Sequence, residues 1–222
     1  MTTETTPQDR EPRGASSAVV LQVDGLCFAY PQRKLFSGWS ARIPPGVTLV
    51  RGGDGVGKTT LLRLLAGVLP AQGGALCVQG ASLAEQPSIY RQRVFWVDPR
   101  TDAHDSLSPA DWFRSLPALY PSFDEARLHA LADGFGLRPH IDKPLYMLST
   151  GSRRKVWLAA GFASGAALTL LDEPFAALDK ASAGFVLELL DESARHPSRA
   201  WLVAHYEPLG DVPLAALIDL GD

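Results

Sequence analysis

The sequence predicts an α/β fold: a mainly parallel sheet covered on its faces, with a helical lobe attached. Strand-like and helix-like segments alternate on both sides of an all-helical insert, as they do where helices return the chain between parallel strands. Leu168–Leu171 is a nearly unbroken apolar run, the mark of a strand buried on both faces. Glycine and proline punctuation between the runs supplies the turns.

In chain order, Val19–Val23, Leu26–Tyr30 and Trp39–Ile43 read as strands, and Pro44-Pro45-Gly46 turns the chain into a further strand, Val47–Arg51. The glycine-rich stretch Gly52–Gly57 opens a helix over Lys58–Ala66, which Gly67 and Pro70 stop. Strand character returns at Leu76–Gln79 and Val94–Val97. Ser108 and Pro109 form an N-cap and first-turn pair ahead of a helix at Asp111–Leu116. A second helix covers Asp124–Phe135 and a third starts near Ser149 or Thr150. The final segments are a strand at Leu168–Leu171, a helix at Lys180–Arg195, a strand at Trp201–Ala204 and a short strand at Ala215–Leu220. Trp96, Trp112 and Trp157 are expected in packing.

With 222 residues and 46% hydrophobic content the chain suits one compact domain. A net charge of -3 gives no electrostatic reason to expect nucleic acid. Residues 1–17 are polar, lack an apolar signal-peptide core and are expected to be disordered. The uncharged stretch Val156–Leu171 is short and glycine-broken, so it is read as a buried helix end and strand rather than a membrane span. Cys27 and Cys77 are expected as buried free thiols.

Chemistry concentrates in two places. Gly52-Gly53-Asp54-Gly55-Val56-Gly57-Lys58-Thr59, with Thr60 following, joins a strand to a helix. Backbone N–H groups of such a loop cradle phosphates, Lys58 reaches the β- and γ-phosphates, and the Thr59 hydroxyl can ligate Mg²⁺. Downstream, the apolar strand Leu168–Leu171 ends in Asp172 and Glu173. There Asp172 can reach the metal or its waters, and Glu173 can polarise an attacking water.

Between these lie residues that resemble the motifs of ABC ATPases. Leu148-Ser149-Thr150-Gly151-Ser152 is similar to the family's signature sequence, Ala177-Leu178-Asp179 to its D-loop, His205 to its switch histidine and Tyr30 to the aromatic that stacks on adenine. The set runs in order from about Leu21 to His205. The resemblance implies a P-loop NTPase with a RecA-like core, a small antiparallel β subdomain and an inserted helical subdomain at approximately 99–163, within one domain over 18–222. It implies ATP and Mg²⁺ as ligands. It also implies a dimer in which Ser149 and Gly151 of one subunit meet ATP on the other. Lys58, Glu173 and His205 become the catalytic set. An integral membrane permease would be the partner, with the chain cytoplasmic and peripheral on the inner face of the membrane. Leu35-Phe36-Ser37-Gly38, Thr59–Leu65 and Asp172-Glu173-Pro174-Phe175 are similar to haem-exporter ATPases, while Tyr120–Asp124 resembles broader exporters.

Two departures stand out. The signature reads Thr150 and Ser152 where the family has glycine and glutamine. Asp98 stands where the family's Q-loop has glutamine, making it an anionic candidate for the metal. Arg153, Arg154 and Lys155 are read as a solvated helix face. A soluble ABC ATPase and a weakly hydrolysing regulatory module remain as alternative readings.

Overall fold

The structure, a computed structural model, describes residues 19–221; the N-terminal segment expected to be disordered lies outside the described residues. The chain runs β1 (Leu21–Tyr30), β2 (Arg33–Ile43), β3 (Gly46–Arg51), α1 (Lys58–Leu65), β4 (Gly73–Val78), β5 (Ala81–Ser82), α2 (Pro87–Arg93) and β6 (Val94–Phe95). The helical stretch follows with α3 (Pro109–Ser115), α4 (Glu125–Gly134) and α5 (Thr150–Ala163). It ends in β7 (Leu168–Asp172), α6 (Lys180–Ala194), β8 (Ala200–Ala204) and β9 (Leu214–Asp219).

The core sheet is parallel and ordered β6-β7-β8-β3-β9. Leu168, Leu170, Ala200 and Leu202 face a cluster that includes Leu61, Leu62 and Leu65 of α1. Their alternates Leu171, Trp201 and Val203 face a second cluster built with α5 and α6. Two-sided burial explains why these strands read as apolar runs, whereas the edge strand β9 alternates between exposed and half-buried positions.

The second sheet is antiparallel, in the order β2-β1-β4-β5. The expected strands Val19–Val23 and Leu26–Tyr30 are one strand. Its register shifts between Val23 and Leu26 around Gly25, whose φ is 62°, so the bulge looks like a break in the pattern. Trp39–Ile43 is the end of a longer strand whose first half is apolar only at Leu35 and Phe36, between exposed Arg33, Lys34, Ser37 and Gly38. Cys27 and Cys77 are free as expected but half-buried rather than buried.

At the far end of this sheet from Tyr30, Gln79 holds a left-handed φ of 46°. Arg93 donates to the carbonyls of Val78 and Gln79, and the Gln79 amide donates to the Ser198 carbonyl ahead of β8 at 2.8 Å. The two sheets are therefore fastened together at this end. Helix α2 is tied to α1 by the buried Tyr90 hydroxyl, which donates to the Leu65 carbonyl at 2.6 Å.

The helical stretch packs on the core through α5. Ser108 caps α3 and Asp124 caps α4, each accepting from a backbone N–H three residues on. Trp112 and Trp157 meet edge to face at 4.6 Å, as the packing role required.

Candidate nucleotide site

All the candidate groups on the core sheet sit beyond the C-terminal ends of β3, β7 and β8, where open parallel sheets bind ligands. The loop leaves β3 at Gly52 and enters α1 through Gly57, whose φ of 115° excludes other residues and whose added Cβ would lie 3.3 Å from Leu35. Lys58 follows, 8% exposed. Its ammonium donates to the carbonyls of Gly52 at 2.8 Å and Gly53 at 2.9 Å, and lies 3.7 Å from a Glu173 oxygen.

Thr59 donates from Oγ1 to Asp172 Oδ2 at 2.8 Å, joining the loop to the end of β7. The other oxygen, Asp172 Oδ1, is buried without a hydrogen-bond partner. Burial pushes the Asp172 carboxyl above the usual carboxylate range. The Thr59 hydrogen bond opposes this, the charges of Glu173 and Asp98 add to it, and Arg100 opposes it. Glu173 extends the other way. Its Oε2 is 2.7 Å from His205 Nδ1, and an ionised carboxylate there makes Nδ1 the donor. Phe175 and Tyr206 flank the imidazole, with ring centroids at 5.0 and 4.7 Å.

Tyr30 ends β1 with its hydroxyl 3.3 Å from Thr60 Oγ1 and its ring against the edge of Phe28. It is 42% exposed, so a ring face is available for stacking. Asp98 is half-buried and uses Oδ1 to accept from the Arg100 N–H at 2.9 Å, which fixes its turn beside Asp172. Asp54 and Gly55 are exposed at the loop tip, with Val56 and Gly53 half-buried beside them.

Ser149 and Gly151 stand apart from this cluster. Ser149 is exposed and caps α5, accepting from the Ser152 N–H at 3.1 Å. At Gly151 a Cβ would lie 2.3 Å from the Ala177 carbonyl oxygen, so only glycine lets the start of α5 approach that turn. The helix thus presents a capped, positively polarised end to the outside.

Three residues of the site escaped the sequence reading. Arg33 donates to the Gly55 carbonyl at 2.9 Å from the start of β2. Phe175 and Tyr206, which hold His205, are its neighbours in space; Tyr206 follows it directly and Phe175 comes two positions after Glu173, and an aromatic at either place carries no distinctive signal. The solvated face expected for Arg153–Lys155 is overturned. Each is half-buried and paired: Arg153 with Thr101 and Asp105, Arg154 with the carbonyls of Asp172 and Glu173, Lys155 with Asp179. Three consecutive helical positions fan over about 200° of the helix, so a charge run alone did not reveal that all three find partners.

Residues 37–176 match the family described as ABC transporter. The chain belongs to the ABC transporter family. It is 37% identical, over 83% of its length and 86% of the relative's, to the cytochrome c biogenesis ATP-binding export protein CcmA of Pseudomonas fluorescens. A CcmA of Vibrio vulnificus is 29% identical over 91% of this chain and all of the relative. Two solved structures share the fold. One is the ATP-binding subunit of an ABC transporter, with TM-score 0.75, 24% identity and coverage of 84% of this chain and 79% of that one. The other, an ABC transporter ATP-binding protein of Pyrococcus furiosus, has TM-score 0.72, 21% identity and coverage of 90% and 96%. The ABC transporter chain described here is accordingly an ATP-binding, ATP-hydrolysing subunit that drives transport through a separate membrane permease. Among the described residues no helix is long and apolar enough to cross a membrane. These matches favour the transport reading over the soluble or regulatory alternatives.

Proposed function

We propose that this chain is a MgATP-driven export motor that works as a pair of cassettes closing on two nucleotides. The observation that carries the reading is the meeting of Lys58, Glu173 and His205 beside the Thr59–Asp172 pair at the ends of three parallel strands. Backbone N–H groups from Asp54 to Thr60 hold the phosphates, the Gly53 N–H being engaged by the Gly221 carbonyl at 3.1 Å, and Tyr30 stacks on the base. Lys58 exchanges its loop carbonyls for phosphate oxygens. Glu173 accepts the proton of a water whose oxygen bonds to the γ-phosphorus as the bond to the bridging β–γ oxygen breaks, giving ADP and phosphate. His205, clamped by its aromatic neighbours, keeps its Nδ1–H on Glu173 and would donate from Nε2 to the developing charge with that nitrogen protonated as well.

A divalent cation suits the site. The orphaned, buried Asp172 Oδ1 and the adjacent Thr59 Oγ1 are hard oxygen donors, and the carboxylate of Asp98 offers a third oxygen ligand nearby. Bound there, Mg²⁺ would offset negative charge on the phosphates.

The exposed end of α5, with Ser149 and Gly151, faces the nucleotide of a second cassette, a copy of this chain or a close relative. ATP then favours the closed pair and hydrolysis releases it. The domain is read as 18–222, with the helical lobe at approximately 99–163 docking a permease from the inner, cytoplasmic face of the membrane. The 37% identity to a cytochrome c biogenesis export protein supports export in cytochrome c biogenesis. Depleting the chain then lowers c-type cytochromes; unchanged levels discard that assignment. The motor itself is tested by Glu173→Gln, expected to cut turnover by roughly 10²-fold or more while ATP still binds and holds two cassettes together. Wild-type turnover in this variant overturns the role of Glu173.

A further inference from the structure

We propose that Arg154 is a positioning residue for Glu173, acting through the backbone and coupling the start of α5 to the catalytic carboxylate. The inference rests on the reading of Glu173 given above.

Glu173 has a φ of 45°, a left-handed conformation that a residue with a side chain keeps only when its surroundings hold it. Two contacts do so. The Glu173 N–H donates to the Ala204 carbonyl at 2.9 Å, fastening it to β8. Arg154 Nη1 donates to the Glu173 carbonyl and, at 3.1 Å, to that of Asp172. One guanidinium nitrogen thus grips both peptide units that carry the acidic pair. From there the Glu173 side chain reaches His205, and through its second oxygen Lys58. A shift of the Glu173 backbone therefore changes both distances.

Solvation does not explain this arginine. It is half-buried, its Nε is buried without a partner, and burial depresses its proton affinity while Asp172 and Glu173 offset the loss. Its neighbours point elsewhere. Arg153 donates to the Thr101 carbonyl at 2.6 Å and to Asp105, both just after Asp98, and Lys155 reaches Asp179 Oδ2 at 2.7 Å. Of the three, Arg154 alone holds the backbone of the acidic pair. It lies one turn along the helix from Gly151, on an element that carries the end exposed to a second cassette. Movement of α5 is thereby passed to Glu173, and turnover responds to the position of that helix.

The test is steady-state ATPase of the full chain carrying Arg154→Met or Arg154→Lys, with thermal melting as a check on folding. Misplacing a reacting group by about 1 Å costs up to about 10²-fold in rate. The Met variant is therefore expected to lose about 10- to 100-fold in kcat, with KM for ATP within about twofold. Lysine, which keeps a cationic donor for the carbonyls, recovers part of the loss; if the Met variant does not fold, the Lys and Gln variants supply the same split. In a Glu173→Gln background, adding Arg154→Met lowers residual turnover less than about twofold, because both changes act through one carboxylate. Unchanged kcat in the Met variant, equal loss in kcat and 1/KM, or losses that multiply in the double variant overturn the proposal. Turnover that survives Glu173→Gln refutes the role of Glu173; turnover lost there but kept in Arg154→Met refutes this inference alone.

Discussion

Asp172 and Asp98 show how charge is set at the level of single side chains. Folding buries Asp172 and places two further negative charges near it, so its proton is held more tightly in the folded chain than in the unfolded one. The sign follows. The cost of ionising it is absent below the ordinary carboxylate range and grows as pH rises through the raised folded value. A group that must be ionised to hold a cation then fails at a higher pH on acidification than an ordinary aspartate would. Asp98→Gln removes one of the charges responsible. The acid limb of the ATPase pH profile is expected to move to lower pH in that variant, read from turnover measured across the acid range at saturating Mg²⁺. A limb that stays in place removes Asp98 from the electrostatics of the site.

At the level of elements, α2 has a structural task that its length conceals. Its Tyr90 is fully buried, and its hydroxyl satisfies the carbonyl of Leu65 at the end of α1. Tyr90→Phe leaves that carbonyl unpaired and is expected to cost about 1–2 kcal/mol, measured as a lowered urea midpoint at constant slope. Neither α2 nor β5 was legible in the sequence. A seven-residue helix opening on Pro87 completes too few turns to display a periodic apolar face, and a two-residue strand has no period at all. The long central strands and α1, α5 and α6 were legible because burial on one side of a helix or both sides of a strand imposes a pattern. The nucleotide loop and the acid pair were legible because glycine spacing and a strand-end carboxylate pair are local. Arg154 was not, since its partners are backbone carbonyls eighteen and nineteen positions away that leave no mark in residue type.

At the scale of the molecule, the site faces two ways. Lys58, Glu173 and His205 converge within the chain, while Ser149 sits exposed on a capped helix end. Ser149→Glu puts a carboxylate where the phosphates of a second cassette would approach, and costs about 1 kcal/mol in capping. Combined with Glu173→Gln and MgATP, it is expected to elute at the 23.9 kDa of one chain, whereas Glu173→Gln alone elutes at twice that mass. Nucleotide binding stays intact in both, and a double variant that still pairs removes Ser149 from the contact. The fastening at Gln79 has a mechanical consequence. The antiparallel sheet becomes a lever arm whose fulcrum is Gln79 and whose tip, held by Thr60, is Tyr30, and the ten residues of β1 between them extend about 30 Å. Tilting this arm by about 5° sweeps the tip through about 3 Å. That travel is close to the 3.3 Å between the Tyr30 hydroxyl and Thr60 Oγ1, so a tilt of this size would make or break that contact.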